Sequence, residues 1–250
     1  MLYKKIIRPW LFNRFPDPED AHNLVLEKLQ LQELQPLLSL LAWLSNRRYP
    51  RLEQTLWGIR FPHPIGLAAG FDKNGVALHP LVKLLGVSFI EMGGITQYKQ
   101  GGNPRKRIFR SEEDHALINR MGFNNDGAIE AADRLSRMKP LSVPLGLNVG
   151  KSKTTPIDVA EDDYRYTIQR VGPHVDYITV NVSSPNTPEL RALQEKRRLK
   201  SLLNGIRQEV WNLREKDGRR RPVLVKLAPD LTAQELDEAL EVIAESADGV

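Results

Sequence analysis

The stretch that decides the fold is a short apolar strand that runs directly into a stiff polar loop. It covers residues 177–187 and reads YITVNVSSPNT. The β-branched residues in its first half predict a strand that ends at Asn181. Two serines and a proline follow, and Pro188 comes just after them, so the loop is polar and has few backbone conformations. A loop of this kind, placed after a buried strand, is a common position for functional groups.

The same order of apolar run and amphipathic helix recurs on both sides of this stretch. The candidate strands are residues 65–68, 89–93, 145–148, 177–181 and 223–227. The candidate helices are residues 75–85, 127–138, 158–171, 199–214 and 233–246. Such alternation predicts a parallel sheet whose strands are joined by helical crossovers.

Two arrangements are compatible with this pattern, an open doubly wound sheet and a (β/α)8 barrel, or TIM barrel. Several candidate strands end in polar or glycine-rich turns, and functional groups at the ends of many strands are typical of a barrel. An open sheet instead concentrates its ligand at one switch point. We therefore predict an α/β fold of the TIM-barrel class. The chain contains about five of the strands and, at residues 248–250, the start of a sixth, so we expect a barrel truncated before its last strands.

The first part of the chain has a different pattern. We predict an N-terminal helical extension over residues 1–49 and a barrel domain over residues 50–250. One helix is expected around residues 21–29 and a second over residues 36–46. The composition of the second helix favours docking onto the protein's own core. The other interpretation is a helix in the plane of a membrane, with Trp43, Arg47 and Arg48 at the level of the lipid headgroups.

Composition limits the possible functions. The 250 residues include 41% hydrophobic and 27% charged residues and carry a formal net charge of +5, as in folded globular proteins. The absence of cysteine excludes disulfides, thiolate metal sites and iron–sulfur clusters. No apolar run approaches the ~20 residues that cross a bilayer, and the start of the chain does not read as a signal peptide. The basic tracts 196–198 and 219–221 lack interleaved aromatics, which favours a solvated surface over nucleic-acid binding.

Small residues follow the first two candidate strands. The turn Ala68-Ala69-Gly70 would let a flat ring lie against the backbone, and Lys73 would offer a cation to a carboxylate or phosphate. For the Ala-Ala-Gly residues alone, an ordinary βα turn is the simpler interpretation. Gly94 could allow the same close approach, but alone it is a weak signal.

Amide side chains follow the next strands. Asn148 and Asn181 close two of them, and buried amides there require partners, either a heterocyclic ligand or the more common neighbouring backbone. The segment from Leu117 to Asn125 precedes a helix, and its Asn119 suits a ring that mixes C=O and N–H groups. The other interpretation of this segment is an asparagine-rich helix cap.

Ser184 and Lys226 are the remaining candidates. No Gly-x-Ser-x-Gly elbow surrounds Ser184 and the histidines lie elsewhere in the pattern, so a Ser-His-Asp hydrolase is unsupported. Lys226 lies in an apolar run. Because burying an unpaired ammonium is costly, an inward, functional lysine is favoured over one on an edge strand that points to water.

Taken in order, four motifs resemble class 2 dihydroorotate dehydrogenases, the quinone-dependent and membrane-associated members of that family. They are Ala68-Ala69-Gly70-Phe71-Asp72-Lys73, Ile118-Asn119-Arg120-Met121-Gly122-Phe123-Asn124, Asn181-Val182-Ser183-Ser184-Pro185-Asn186-Thr187-Pro188 and Val225-Lys226-Leu227-Ala228-Pro229-Asp230. Ala21-His22 and Arg107-Ile108-Phe109-Arg110 match as well. The resemblance implies an FMN-bound barrel that oxidises (S)-dihydroorotate to orotate in pyrimidine biosynthesis and passes the electrons to a membrane quinone. The absence of cysteine agrees with class 2, because class 1 relatives place a cysteine at the base position.

The resemblance also implies a role for each matching residue. Ser184 would be the catalytic base that takes a proton from the substrate. The substrate would be bound by Lys73, Asn119, Met121, Gly122, Phe123, Asn181, Asn186 and Thr187. FMN would be lined by Ala68, Ala69, Gly70, Gly94, Asn148, Asn181 and Lys226. Phe123 and Thr187 would help to conduct the proton away, and Lys226 would stabilise negative charge on the reduced flavin.

His22 and Arg110 would, by the same resemblance, face a quinone tunnel formed by the N-terminal helices. This implies a peripheral protein on the cytoplasmic side of the cell membrane, with no metal and no nucleic-acid partner. Gln97 and Gly94 depart from the family pattern, which usually has a proline and a serine or threonine there. Two other functions stay open: a catalytically inactive fragment that acts as a peripheral membrane-binding module, and another FMN barrel oxidoreductase.

Overall fold

Four parallel strands form the central sheet of the computed structural model, which describes residues 3–45 and 50–250. In this part of the chain the strands are β1 Gln54–Leu56, β2 Ile59–Phe61, β3 Ile90–Ile95, β4 Ile108–Ser111, β5 Ala116–Asn119, β6 Leu145–Val149, β7 Tyr177–Asn181 and β8 Val223–Lys226. The α-helices are α1 Arg8–Arg14, α2 Pro18–Leu29, α3 Gln35–Ser45, α4 Leu78–Leu85, α5 Ala128–Ser136, α6 Ala160–Val171, α7 Lys196–Asp217 and α8 Ala233–Ser246. The central sheet has the order β3-β6-β7-β8.

Two further segments extend this sheet by single parallel bridges, Leu67 to Ile90 on one side and Gly249 to Leu224 on the other. Six successive segments therefore lie side by side in chain order, with a helix between each pair. This arrangement confirms the prediction of an incomplete α/β barrel. The predicted strand over 65–68 is present only as one bridge at Leu67. Backbone hydrogen bonds still join Ile65 and Leu67 to residues 88–91, and the segment then turns at Gly70, where φ is 101°.

The central sheet has one apolar face and one polar face, because successive side chains of a strand point to opposite sides. Met92, Leu147 and Ile178 are fully buried on the apolar face and belong to the main hydrophobic core. Burial of each such side chain stabilises the fold by about 1.5–3 kcal/mol. The register pairs Asn148 with Thr179 and Asn181 with Lys226, which places these side chains together on the polar face. The polar face therefore becomes the interior of the barrel.

The crossover helices agree closely with the predicted ranges, and their ends have clear causes. Helix α8 begins with a capping box between Thr232 and Glu235. Helix α7 begins earlier than predicted because the Glu195 side chain caps it, and it ends at Gly218, whose left-handed conformation closes the last turn. Residues 196–198 consequently form the first turn of α7.

The sequence suggested a solvated surface for the basic tract 219–221, but one of its three residues is buried. The Arg221 side chain is buried, and its guanidinium donates to the carbonyl of Gly172 at 2.6 Å. It also forms an ion pair with Asp217 at the end of α7, and this pair lowers the pKa of Asp217 to about 2. Arg221 therefore fastens the end of α7 to Gly172, the residue that caps the C-terminal end of α6.

Two antiparallel hairpins were not predicted. β1 pairs with β2 through a turn at Trp57 and Gly58, which both have positive φ, as a two-residue hairpin turn of type I′ requires. β4 pairs with β5, and Asn119 is the last residue of β5. Asn119 itself therefore caps no helix, because α5 begins only at Ala128, whereas Asn125 of the same segment accepts from the Gly127 N–H directly before α5 at 2.9 Å.

The N-terminal helices pack along one side of the barrel. In α3, Leu38 is buried in the main core and Ser39 accepts a hydrogen bond from Lys83 of α4 at 2.6 Å. On the same helix Leu40 and Trp43 are 53% and 76% exposed. One side of α3 thus docks on the barrel and another faces solvent, so both predicted behaviours keep support. The predicted helix end at Asn46 and the arginines Arg47 and Arg48 lie outside the described residues. No helix in the described ranges is long and apolar enough to cross a membrane.

Candidate active site

A chain of hydrogen bonds joins polar side chains on the inner face of the sheet. The Glu91 carboxylate accepts from Asn148 Nδ2 at 2.9 Å and from Thr179 Oγ1 at 2.8 Å. Asn148 Oδ1 in turn accepts from Asn181 Nδ2 at 2.9 Å. Asn181 Oδ1 then accepts from the backbone N–H of Ser183 at 3.1 Å and from its hydroxyl at 2.9 Å. Each donor is matched to one acceptor, which fixes how both buried amides are oriented.

These partners differ from those that the sequence suggested. Asn148 and Asn181 bind each other and side chains of the same face, so backbone alone does not satisfy them. Glu91 was not predicted as a site residue. Its only signal in the sequence is an acidic residue inside an otherwise apolar strand. Burial, and then the charge and hydrogen bond of Glu91, raise the pKa of the neighbouring Tyr177, which keeps that phenol neutral.

The loop after β7 brings predicted residues of two segments together. The Asn186 backbone N–H donates to Ser184 Oγ at 3.2 Å. Asn186 Nδ2 donates to the carbonyl of Asn119, the last residue of β5, at 3.2 Å. Ser184 is half-buried, and Thr187 is buried with its hydroxyl lacking a partner among the described residues. Ser184, Asn186 and Asn119 thus lie in one place at the ends of the strands.

Arg191 and Tyr164 fasten this loop, and neither was predicted. Arg191 Nε donates to the Ser183 carbonyl at 3.1 Å and its Nη1 pairs with Asp230 at 2.8 Å. The buried Tyr164 hydroxyl of α6 donates to the Asn181 carbonyl at 2.8 Å. Nothing near Tyr164 in the sequence distinguishes it from an ordinary core tyrosine.

The Phe123 ring lies against two glycines of neighbouring strand ends. A Cβ atom added at Gly94 would lie 2.8 Å from this ring, and one added at Gly150 would lie 3.0 Å from it. Any larger residue at 94 would have to displace the ring. The departure of Gly94 from the family pattern therefore has a local reason, which is the close approach of Phe123.

The turn after the first segment contributes Lys73. Its ammonium donates to the Gly70 carbonyl at 2.8 Å and lies 3.5 Å from the sulfur of Met121. Burial lowers the pKa of Lys73, against the opposing effect of Glu19. Asp72 beside it is buried and accepts from the backbone N–H groups of residues 76 and 77, so it shapes the turn. Ala68 is exposed, and no atom lies within 4 Å of a Cβ added at Gly70, so the turn is open to a ligand.

Lys226 lies beside Asn181 in the register of the parallel sheet, on the polar face. It is exposed, and its ammonium forms no ion pair or hydrogen bond with any residue of the described ranges. The prediction of an inward lysine agrees with this register. Its exposure shows that the described strands do not close around it.

His22 is part of helix α2, whereas Arg110 lies in β4 and contacts the end of α1, so their contacts are separate. The His22 ring of α2 packs edge-on against Phe71 with centroids 4.9 Å apart, and burial, followed by the charge of Lys73, lowers its pKa. His22 and Lys73 line one side of a small cavity of about 80 Å³. Arg110 donates to the Phe15 carbonyl at 2.7 Å and lies 4.3 Å from the centre of the Phe12 ring.

The described residues contain no group of three acidic, histidine or cysteine side chains that could hold a metal ion. Amides, hydroxyls and two lysines lie at the carboxyl ends of the parallel segments. That arrangement is the usual position of an active site in an α/β-barrel enzyme.

Comparison with known proteins identifies the family. The family model described as dihydroorotate dehydrogenase matches residues 51–249. The chain is 46% identical over 248 residues to a protein of Chloroflexus aurantiacus named dihydroorotate dehydrogenase (quinone), covering 98% of this chain and 68% of that protein. A protein of the same name from Thermosynechococcus vestitus is 42% identical over 259 residues, with 96% and 66% covered.

A solved structure supports the same conclusion. The crystal structure of DHODH from Eimeria tenella in complex with ferulenol matches with a TM-score of 0.78 and 37% identity, over 92% of this chain and 64% of that one. The chain thus spans about two thirds of the length of these relatives. It belongs to the dihydroorotate dehydrogenase family, and its named relatives are of the quinone-dependent class, as the motifs predicted. Membership implies a flavin cofactor.

Proposed function

We propose that the protein oxidises (S)-dihydroorotate to orotate with FMN, in pyrimidine biosynthesis, and passes the electrons to a membrane quinone. The observation that carries the proposal is the contact of Ser184, Asn186 and Asn119 at the strand ends, beside the linked amides of Asn148 and Asn181. Family membership and the names of the relatives support it.

The free hydrogen-bonding groups of the site suit a cyclic imide that carries a carboxylate. Asn119 Oδ1 accepts from the Met121 N–H at 2.8 Å, which leaves Asn119 Nδ2 available as a donor. Asn186 uses its Nδ2 on the Asn119 carbonyl, which leaves its Oδ1 available as an acceptor. A donor and an acceptor side by side complement the C=O and N–H groups of a pyrimidine ring. Lys73, held against Met121, supplies a cation for the carboxylate.

Ser184 is the proposed base for the substrate proton. A serine hydroxyl is a weak base, so the site has to stabilise its deprotonated form. The Asn186 N–H that donates to Ser184 Oγ acts in this direction, because a donor favours the anion. The buried Thr187 hydroxyl, which lacks a described partner, and the Phe123 ring are the proposed neighbours along which the proton leaves.

The residues at the mouth fit FMN. The open turn Ala68-Ala69-Gly70 offers a flat surface, and Gly94, Asn148 and Asn181 lie at adjacent strand ends. The chemistry supplied by a flavin bound there would be the acceptance of hydride. Lys226 lies on the same face as Asn181, and its ammonium has no partner among the described residues. This cation would stabilise an anionic cofactor.

His22 and Arg110 are the proposed quinone contacts. Both lie where the N-terminal helices meet the barrel, and both already contact aromatic rings. Trp10 of α1 and Trp43 of α3 are 61% and 76% exposed, which suits helices that rest on the cytoplasmic face of a membrane.

The test is dihydroorotate-dependent quinone reduction by the full-length protein. Ser184→Ala should lower kcat by roughly 10²- to 10⁴-fold at neutral pH, the usual contribution of a general base. The matched control is Ser201→Ala, on the exposed side of α7, which should leave kcat unchanged. A Ser184→Ala rate near that of the wild type would overturn the base assignment. A yellow protein whose spectrum orotate does not perturb would instead indicate another FMN barrel oxidoreductase.

A membrane-binding module without turnover is the second candidate, and the exposed side of α3 favours it. Co-sedimentation with anionic liposomes tests it directly. Leu40→Glu with Trp43→Glu should release the protein from the liposomes, whereas Leu236→Glu, on the distant helix α8, should not. Equal sedimentation of the wild type, the α3 double variant and the Leu236→Glu variant would exclude α3 as a membrane contact.

A further inference from the structure

We infer that Glu19 and Arg107 are positioning residues, which hold the proposed substrate segment through the N-terminal helix α2. Glu19 lies in the first turn of α2, and Arg107 lies directly before β4. The inference rests on the proposed function, because that proposal assigns residues 119–123 to the substrate.

The two side chains form a two-point ion pair. Arg107 Nε donates to Glu19 Oε2 at 2.9 Å, and Arg107 Nη2 donates to Glu19 Oε1 at 2.7 Å. The exposed fractions of the side chains are only 9% for Arg107 and 5% for Glu19. A buried pair of this kind cannot lose one partner without leaving an uncompensated charge, so its geometry is strongly enforced.

The same guanidinium also holds a loop of the barrel. Arg107 Nη1 donates to the carbonyl of Gly101 at 2.5 Å and to the carbonyl of Asn103 at 2.9 Å. One planar group therefore fixes helix α2 on one side and loop 101–103 on the other. A shift of Glu19 would move the guanidinium and, with it, these carbonyls.

Loop 101–103 is in turn bound to the substrate segment. The Asn103 N–H donates to the Met121 carbonyl and its Nδ2 donates to the Arg120 carbonyl, both at 2.8 Å. The backbones touch, since a Cβ added at Gly102 would lie 2.2 Å from the Met121 carbonyl oxygen. Met121 is also the residue that Lys73 contacts. An unbroken series of contacts thus runs from α2 to Met121 and Lys73, two of the residues proposed to bind dihydroorotate.

Arg105 provides a matched control. It joins the same helix to the same segment, with ion pairs to Asp20 at 2.6 Å, to Asp17 at 3.2 Å and to Glu19 at 3.3 Å. However, its side chain is 45% exposed and its described contacts do not include loop 101–103. Arg105 therefore tests helix docking alone, whereas Glu19 tests docking together with the loop.

The experiment compares Glu19→Gln, Glu19→Asp and Arg105→Gln in the full-length, flavin-loaded protein. Hydrogen exchange is measured for the amides of Asn103, Arg120 and Asn125, each of which donates to a backbone carbonyl of these segments. Glu19→Gln should speed their exchange about tenfold or more, by raising the population of locally open states. It should raise KM for dihydroorotate roughly tenfold with kcat within about twofold, because a loosened segment costs binding geometry. Glu19→Asp should fall between Glu19→Gln and the wild type, and Arg105→Gln should change neither quantity.

Two results would overturn the inference. One is faster exchange confined to α2, with the loop amides and KM unchanged. The other is an effect of Arg105→Gln as large as that of Glu19→Gln. If Glu19→Gln does not fold, Glu19→Asp decides between the same outcomes. Failure of the proposed function would be recognised separately, as a wild-type protein that does not oxidise dihydroorotate, while exchange in the unliganded protein would still report the coupling.

Discussion

On the outer face of the central sheet, Leu147 of β6 and Ile178 of β7 are fully buried against helices, and neither needs a particular partner. On the inner face, their neighbours Asn148 and Thr179 each depend on one acceptor, the Glu91 carboxylate. The two faces are formed by adjacent residues of the same strands. They differ in whether the interaction has a direction.

This difference separates stability from function. Apolar contacts are non-directional and shared among many side chains, so the outer face supplies most of the stability. Hydrogen bonds add little net stability, but an unmade bond is costly and leaves a group in the wrong orientation. The inner face should therefore control ligand binding more than stability. Substitutions of adjacent residues on opposite faces can test this separation.

Leu147→Ala should have the largest effect on stability. A fully buried leucine reduced to alanine loses about 2–5 kcal/mol of unfolding free energy, because it leaves a cavity between β6 and the helices. Urea unfolding measures this loss. Orotate binding below the transition should stay within about twofold of the wild type, since Leu147 contacts no ligand group. A loss below about 1 kcal/mol would show that the outer face relaxes, contrary to close packing.

Asn148→Ala, one residue further along β6, should weaken ligand binding more than it weakens the fold. It removes the links to Glu91 and Asn181, which costs about 1–3 kcal/mol for the groups left without partners. Flavin retention and orotate affinity should fall more than tenfold, by roughly the two hydrogen bonds lost. Equilibrium dialysis of flavin and orotate titration measure these effects, with the exposed Asn204→Ala of α7 as the control. Unchanged flavin retention in Asn148→Ala would remove the functional distinction between the faces.

The outer face was largely predictable from the sequence, and the inner face only in part. Strand and helix segments follow from local patterns, which is why α8 was predicted with its observed ends at 233 and 246. The bond from Thr179 to Glu91 joins residues 88 positions apart, and the bond from Asn148 to Glu91 joins residues 57 apart. Pairings of this range depend on register, which no local pattern contains.

The mistakes have the same origin. The inward direction of Lys226 could be inferred from its apolar strand, but its exposure could not, because that depends on which strands lie around it. Arg221 was expected on the surface because it follows two other arginines, but a carbonyl at Gly172 and the Asp217 carboxylate receive it in the interior. The hairpin that carries Asn119 was missed because its turn, SEEDHA at residues 111–116, lacks the Asn-Gly or Asp-Gly pair that announces a tight hairpin.

Gly94→Ala should have a smaller effect, which lowers both the stability of the fold and the affinity for orotate. The added Cβ would lie 2.8 Å from the Phe123 ring, so the ring or the strand end must shift, at a cost of about 1–3 kcal/mol. Phe123 belongs to the proposed substrate segment, so orotate affinity should fall with stability. The control is Asn204→Ala, on the exposed side of α7. Equal behaviour of the two variants would show that the ring moves freely over Gly94.

The smallest expected effect is the pH-dependent part of the stability that two ion pairs contribute, and it extends the comparison beyond the sheet. The Arg107 hydrogen bonds, aided by the charges of Arg107, Arg105 and Lys73, hold the pKa of Glu19 below its ordinary value. A carboxylate with a depressed pKa adds stability above its unfolded pKa of about 4.3, and this contribution is lost as the pH falls through the lower, folded pKa. The stability difference between the wild type and Glu19→Gln should therefore be constant near neutral pH and shrink in acid.

Glu53 and Arg60 supply the contrast, because their ion pair at 2.6 Å is even shorter but lies on the surface. Water and salt screen such a pair, so Glu53→Gln should change stability little at any pH. Urea unfolding of both variants at pH 7, 5, 4 and 3 measures the difference. A pH-independent effect of Glu19→Gln would mean that its charge contributes nothing beyond shape. The pair would then behave like the apolar outer face, and the directional character of buried polar contacts would be restricted to the sheet interior.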